Sequence, residues 1–204
     1  RAVCELVLEK HIPIYNEQNH KGLLRHLYLR IGERTGEVMV CFVVAKRQPE
    51  QFAPIAKILV SRFSQIKSVV LNVNPEQTNV ILGTECMTIC GSDTITDTLC
   101  GVKIHLSPLS FYQVNHDQAE VLYKTALECA SLDSEDTLLD LYCGAGTIGL
   151  SAAHRIKRLI GVEIVPEAVE NAKRNAVENG IKNADDVMCS KIVLLHIVGI
   201  RTLS

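Results

Sequence analysis

No apolar run in this 204-residue chain approaches the roughly 18–20 residues that a helix needs to cross a bilayer. The most extended, Ile192–Ile200, is broken by His196 and Gly199, so no membrane crossing is expected. Neither sign of charge dominates: 21 Lys and Arg stand against 23 Asp and Glu, and with 47% hydrophobic residues this suits a folded soluble protein and excludes disorder. The eight cysteines, at positions 4, 41, 86, 90, 100, 129, 143 and 189, contain no Cys-x-x-Cys pair. That spacing argues against a disulfide framework or a zinc site, and it points to a reducing, cytoplasmic setting with buried structural thiols and no metal. The chain opens on Arg1, and residues 1–15 lack the apolar core of a secretory signal, so the start reads as a cut inside a longer protein.

Charge divides unevenly. Residues 1–100 carry 11 basic and 10 acidic side chains and residues 101–204 carry 10 and 13, which predicts two parts of different character. In the first part Lys21, Arg25, His26, Arg30 and Arg34 precede an apolar run and Lys46 and Arg47 follow it, a basic surface suited to tracking phosphates or simply a solvated strand face. Residues 27–31 and 37–45, separated by Gly32 and Gly36, read as a hairpin. Phe52, Ile55, Ala56, Leu59 and Phe63 then fall at helical spacing. Residues 66–73 and 79–83 return to strand character, with a turn at Asn74-Pro75 and short alternating segments up to 107. A small α/β domain over 1–106 follows from that order.

Beyond it, Asn115 is placed to cap a helix with Gln118 at its third position and a buried stripe of Ala119, Leu122, Tyr123, Ala126, Leu127 and Ala130. TLLDLYCGAGTIGL reads as a buried strand, a glycine turn and a helix start, and RLIGVEIVPEAVENAKRNAVENG repeats the pattern with Pro166 in a first helical turn and Gly180 as the stop. Strand-helix-strand-helix order predicts a parallel sheet.

Gly144-Ala145-Gly146-Thr147-Ile148-Gly149 matches G-x-G-x-x-G between strand and helix, and Glu163 lies 19 residues after the first glycine. Glycines let a backbone approach a nucleotide, and a carboxylate at the next strand end accepts hydrogen bonds from both hydroxyls of an adenosine ribose. NAD, FAD and S-adenosylmethionine all satisfy that chemistry. Asp140, four residues before Gly144, would repel a pyrophosphate but tolerate a sulfonium, whether it touches the ligand or orders the loop through backbone N–H groups. Either role favours a methyl donor.

SFYQVNHDQAEVLY, LLDLYCGAGTIGL, GVEIVPEAVENAKRNA and Asn179-Gly180-Ile181-Lys182-Asn183 together resemble the RNA uracil-C5 methyltransferases, which make 5-methyluridine in bacterial 23S ribosomal RNA and in transfer RNA. The likeness is close over residues 107–184, and the preceding segments resemble that family's central domain. It implies a Rossmann-like methyltransferase domain, incomplete here, over 107–204, with an atypical tail after about 184. It also implies S-adenosylmethionine as cofactor, held by Gln113, Tyr142 and Glu163 with Thr147 a lesser contact and Gly144 in the turn beneath it, and an RNA substrate, 23S rRNA ahead of tRNA.

The chemistry implied by that resemblance begins with addition of a cysteine thiolate at uracil C6, because C5 alone is too weak a nucleophile; the enolate then takes the methyl group, and a glutamate removes the C5 proton as the cysteine leaves by elimination. No residue here matches that cysteine or glutamate, so the chain alone is expected to be inactive. Cys143 matches a position of the family that is not catalytic, and the cysteine spacings give no iron–sulfur cluster. Two other readings stand beside this one: a nicotinamide or flavin oxidoreductase using the glycine turn, and a non-catalytic RNA-binding module.

Overall fold

The computed structural model describes residues 1–188. They fall into two compact units, Arg1–Ala130 and the residues from Ser131 onward. The apolar run 192–200 and Cys189 lie outside the described residues.

In the first unit, α1 (Ala2–Glu9) precedes β1 (Leu24–Ile31) and β2 (Val38–Val44), which pair antiparallel as the expected hairpin. Helix α2 (Pro49–Arg62) crosses over to β3 (Ile66–Val73), which runs parallel to β2, and β4 (Glu85–Gly91) pairs antiparallel with β3. The sheet order is β1-β2-β3-β4. A separate antiparallel ribbon, β5 (Ile95–Leu99) and β6 (Val102–Leu106), leads into α3 (His116–Cys129).

The core forms where Val40, Phe42 and Val44 of β2 and Val69, Leu71 and Val73 of β3 meet Phe52, Ile55, Ala56 and Leu59 of α2, the stripe that the spacing predicts. The Phe42 and Phe52 rings lie 4.8 Å apart between centroids. Burying each such aromatic or aliphatic side chain contributes about 1.5–3 kcal/mol. The alternate residues Met39, Cys41 and Val43 are buried as well, so β2 is covered on both faces and its sequence is a continuous apolar run rather than an alternation. Burial, the largest cause, pushes the Cys41 thiol up to about 12, which leaves it an inert space-filler.

Several expectations change here. Residues 79–83 are loop rather than strand, because side chains take the backbone groups a strand would pair: Asn74 donates to the Val80 and Ile81 carbonyls, and Asn72 both donates to the Gly83 carbonyl and accepts its N–H. The α3 stripe is narrower than read, with His116, Ala119, Tyr123 and Leu127 buried while Leu122, Ala126 and Ala130 are exposed, since the helix rests on its neighbours along one ridge only. Leu99 shares a cluster with Ala119 and Tyr123, and this is why the first unit extends past residue 106 to Ala130. The cysteines are not uniformly buried: Cys4, Cys86 and Cys129 are exposed, and no metal-holding group occurs among the described residues.

The basic segment changes as well. The Arg25 side chain is only 1% exposed and pairs with Glu17 at 3.0 Å. It also donates to the Asn74 and Glu76 carbonyls and lies over the Tyr15 ring. Arg30 bonds the Ser107 and Ser110 carbonyls, Arg34 pairs with Asp117, and Arg47 pairs with Glu85. These guanidinium groups tie the fold together, and Arg25 is not presented to a phosphate backbone.

In the second unit β7 (Thr137–Leu141), α4 (Thr147–Ala152), β8 (Arg158–Glu163), α5 (Pro166–Glu178) and β9 (Ala184–Met188) alternate, and the strands form a parallel sheet in the order β7-β8-β9. Leu150, Ala152, Leu159, Val169, Ala172 and Ala176 fill the space between sheet and helices. Strand β7, read as buried, is half exposed, its described pairing being on one edge with β8. Helix α5 closes as expected, with N–H bonds from Gly180 to the Val177 carbonyl and from Ile181 to the Ala176 carbonyl.

Because Arg25 satisfies two loop carbonyls and a carboxylate at once, Arg25→Ala is expected to lower the stability of the first unit by about 2–4 kcal/mol, and Arg25→Lys to recover little of it. The exposed Lys46→Ala should stay within about 0.5 kcal/mol of the parent. Urea denaturation of the three variants checks both statements.

Candidate functional site

The carboxyl end of the second unit's parallel sheet is where the sequence places four of its five candidate residues, and it is where an open parallel sheet binds ligands. Strand β7 ends at Leu141. Tyr142 then takes a left-handed conformation with φ 63°, a backbone region that a bulky side chain seldom occupies. Cys143 returns to the sheet, its N–H donating to the Val162 carbonyl at 3.0 Å, and the Gly146 N–H closes the turn on the Cys143 carbonyl at 2.8 Å. Tyr142 is thus a one-residue bulge that throws its side chain outward, 81% exposed, at the mouth of the glycine turn.

All three glycines are demanded by geometry, Gly144 by its left-handed φ of 56°. Gly146 is left-handed at φ 82°, and a Cβ there would also meet the Leu150 side chain at 3.0 Å. At Gly149 a Cβ would meet Leu159 at 2.8 Å and the Asp140 carboxyl at 3.0 Å, so this glycine lets α4 press onto β8 and onto the top of β7. Thr147 opens α4 immediately after the turn.

Glu163, at the end of β8, holds the turn. Its Oε2 accepts the Gly144 N–H at 3.0 Å, and its Oε1 accepts the N–H groups of Ile164 at 2.7 Å and Val165 at 2.8 Å. Asp140 works the same way one strand over, its Oδ2 accepting the Gly149 N–H at 3.0 Å, which is the loop-ordering role allowed for it. Burial raises the Asp140 carboxyl above its ordinary value, and the Gly149 hydrogen bond only partly opposes that rise.

Of the five candidates, the second unit brings together Tyr142, Gly144, Thr147 and Glu163 around one turn, whereas Gln113 belongs to the first unit. There Gln113 lines a cleft of about 310 Å³ with Tyr28, Arg30, Glu33 and Tyr112. Sequence reasoning missed Asn175, a fully buried amide that donates to the Ala145 carbonyl at 2.9 Å and so supports the turn from beneath. The signal was present: Asn171 and Asn175 repeat at i and i+4 on the inner face of α5, where an apolar stripe alone would need no amides.

The raised Asp140 value sets a direction with pH. Its protonated form is favoured by folding, so stability falls as pH rises from the ordinary carboxylate value through the raised one. Asp140→Asn keeps an acceptor for the Gly149 N–H and cannot ionise, so it should flatten that fall. Asp140→Ala leaves the N–H unpaired and should cost about 1–3 kcal/mol at every pH. Urea midpoints measured across the acidic range distinguish the two.

A family model described as tRNA (Uracil-5-)-methyltransferase matches residues 13–194. An uncharacterized RNA methyltransferase of Bacillus cereus is 45% identical over 180 residues, 88% of this chain and 39% of the relative. Another, of Halalkalibacterium halodurans, is 45% identical over 187 residues, 90% of this chain and 40% of the relative. Among solved structures, the Pyrococcus abyssi tRNA (uracil-54, C5)-methyltransferase in complex with S-adenosyl-L-homocysteine superimposes with a TM-score of 0.75 at 28% identity, covering 92% of this chain and 45% of that one. The chain therefore spans about two fifths of the length of the curated relatives it matches. With the turn geometry and a match over most of its residues agreeing, the chain belongs to the tRNA (uracil-5-)-methyltransferase family.

Proposed function

We propose that this chain supplies the S-adenosylmethionine-binding part of an RNA methyltransferase that forms 5-methyluridine at uracil C5, with 23S rRNA as its substrate. The observation that carries the reading is the Glu163 carboxyl group, fixed at a strand end by three backbone N–H groups and tied through one of them to the glycine turn. Its Oε2 accepts a single N–H and keeps acceptor capacity for a ribose hydroxyl. A Cβ built on Gly144 meets nothing within 4 Å, which leaves space above the turn. An adenosine-bearing group fits these residues.

In this reading Glu163 holds the ribose, the exposed Tyr142 ring covers one side of the nucleoside, and Gly144 and Thr147 bound the methionine end. When bound, S-adenosylmethionine supplies an electrophilic methyl group. The protein's own contribution is preorganisation: Asp140, Asn175 and Glu163 fix the turn before a ligand arrives, so little ordering remains to be done on binding. The reading assigns no nucleophile and no base to these residues.

The family membership takes the place of the oxidoreductase alternative, since its relatives are methyltransferases. The RNA class stands on less. The resemblance covers enzymes of 23S rRNA and of tRNA, and the Pyrococcus abyssi relative is described as acting on tRNA. Binding of the chain to 23S rRNA and tRNA transcripts, compared at one salt concentration, decides between them.

Calorimetry of the chain with S-adenosylhomocysteine should give saturable binding. Glu163→Ala should weaken it at least about tenfold, the scale expected for losing hydrogen bonds to a charged acceptor. Binding of NADH with none of S-adenosylhomocysteine would overturn the proposal.

A further inference from the structure

We propose that a cleft of the first unit holds one unstacked base of an RNA strand, an inference that rests on the reading of this chain as part of an RNA methyltransferase and concerns the first unit alone. The cleft has a volume of about 420 Å³, within the range of about 300–1,000 Å³ usual for small-ligand sites. One loop brings Glu17 and His20 to it, a second brings Gln77, Asn79 and Ile81, and β1 adds His26.

Both loops are tied to the same buried guanidinium group. Arg25 pairs with Glu17 at 3.0 Å in the first loop, and in the second it donates to the Asn74 carbonyl at 2.9 Å and the Glu76 carbonyl at 2.6 Å. The Asn74 amide in turn donates to the Val80 carbonyl at 2.7 Å and the Ile81 carbonyl at 3.0 Å, so residues 77–79 are gripped at both ends. In the first loop the Asn16 side chain accepts the Gln18 and Asn19 N–H groups, and Nδ1 of His20 lies 3.1 Å from the Tyr15 hydroxyl. The walls are set in advance, and little ordering is left for a ligand to impose.

The chemistry of the lining suits a base rather than a phosphate. Its carboxylate, Glu17, and its guanidinium, Arg25, neutralise each other, so a phosphate would find no unspent lysine or arginine among the described residues of the cleft. What is unspent is amide and imidazole: the side chains of His26, Gln77 and Asn79 make no hydrogen bond among the described residues. Between the two amides only the Thr78 hydroxyl has a task in the loop, accepting the Val80 N–H at 3.3 Å. An amide offers donors and an acceptor together, as the edge of a base requires, while the two imidazoles and Ile81 supply flat and apolar surface for its faces.

The test uses the full chain and fluorescence anisotropy with labelled single-stranded RNA homopolymers of A, C and U, beside an abasic ribose-phosphate oligomer of the same length, over a series of salt concentrations. At least one homopolymer should bind more tightly than the abasic oligomer, and the double variant Gln77→Ala, Asn79→Ala should weaken that homopolymer about tenfold, the scale of one well-paired base contact. The same variant should leave abasic binding within about twofold and the slope of log affinity against log salt unchanged, since a base contact releases no counterions. In the parent chain the side-chain amide resonances of Gln77 and Asn79 should shift with that homopolymer and stay in place with the abasic oligomer, a readout that needs no variant.

Equal weakening of the homopolymers and the abasic oligomer, with a shallower salt slope, would make the cleft a phosphate contact and overturn the base site. A variant that binds every homopolymer as the parent does overturns it too, as does a free nucleoside that binds as tightly as the strand, and both results leave the RNA reading standing. Failure of every oligomer to bind brings down that reading, and the cleft with it.

Discussion

Where a chain leaves a sheet its backbone N–H groups lose their ladder partners, and a buried donor without an acceptor costs on the order of 1–3 kcal/mol. In this protein the replacement acceptors are side chains carried on the strands themselves. Asp97 takes two N–H groups of the β1–β2 turn, Asp140 takes that of Gly149, and Glu163 takes those of Gly144, Ile164 and Val165. Asn72 and Asn74 do the corresponding work for the loop before β4. The loops consequently take their shape from the sheet beneath them, and a substitution on a strand end reshapes the loop above it.

That arrangement explains why a strained tyrosine can persist. A left-handed non-glycine residue costs on the order of 1–3 kcal/mol unless its surroundings determine it. Here Cys143 is locked to Val162 on the far side of Tyr142, Gly146 closes on Cys143, and Glu163 holds Gly144. Both flanks of the bulge are fixed, so the strain is held in place and the phenol ring stands in solvent rather than folding back on the sheet. The same bonds give Glu163 two tasks, because a carboxyl group that orders the turn is also the one proposed to meet a ribose. An acceptor group already fixed by N–H donors pays little entropy when a hydroxyl joins them.

The sequence made some of this visible and hid the rest for a physical reason. Periodicity exposed α2, because Phe52, Ile55, Ala56 and Leu59 face a single apolar layer, and it exposed α5 through Val169, Ala172 and Ala176. The glycine turn and Glu163 were legible because few residue types satisfy those positions. What stayed hidden involved polar side chains standing in for backbone. Asn72 and Asn74 turned an expected strand at 79–83 into a loop, and Arg25, Arg30 and Arg34, spaced like a phosphate-binding surface, reach carbonyls and carboxylates far along the chain. Asp97 and Tyr112 lie in segments with no motif of their own, and only the fold brings them to 2.9 Å. Hydrogen bonds between distant residues leave no period in a sequence, whereas apolar layers do.

The distribution of exposed apolar residues in the second unit completes the argument. Leu159 of β8 is buried, and so are Leu150 of α4 and Val169 of α5. Leu141, Tyr142, Ile164 and Val165 are exposed at the carboxyl ends of β7 and β8 or in the turns that follow, Ile148 is exposed in the first turn of α4, and Val177 is exposed near the end of α5. Most of the exposed apolar side chains described in this unit thus gather on one rim, an arrangement that suits the apolar face of a ligand. Adenine presents two apolar faces and a ribose presents two hydroxyls. A rim of aliphatic and aromatic side chains around one fixed carboxyl group offers the complementary surfaces in the same few residues, and a polar anion such as pyrophosphate would gain nothing from that rim.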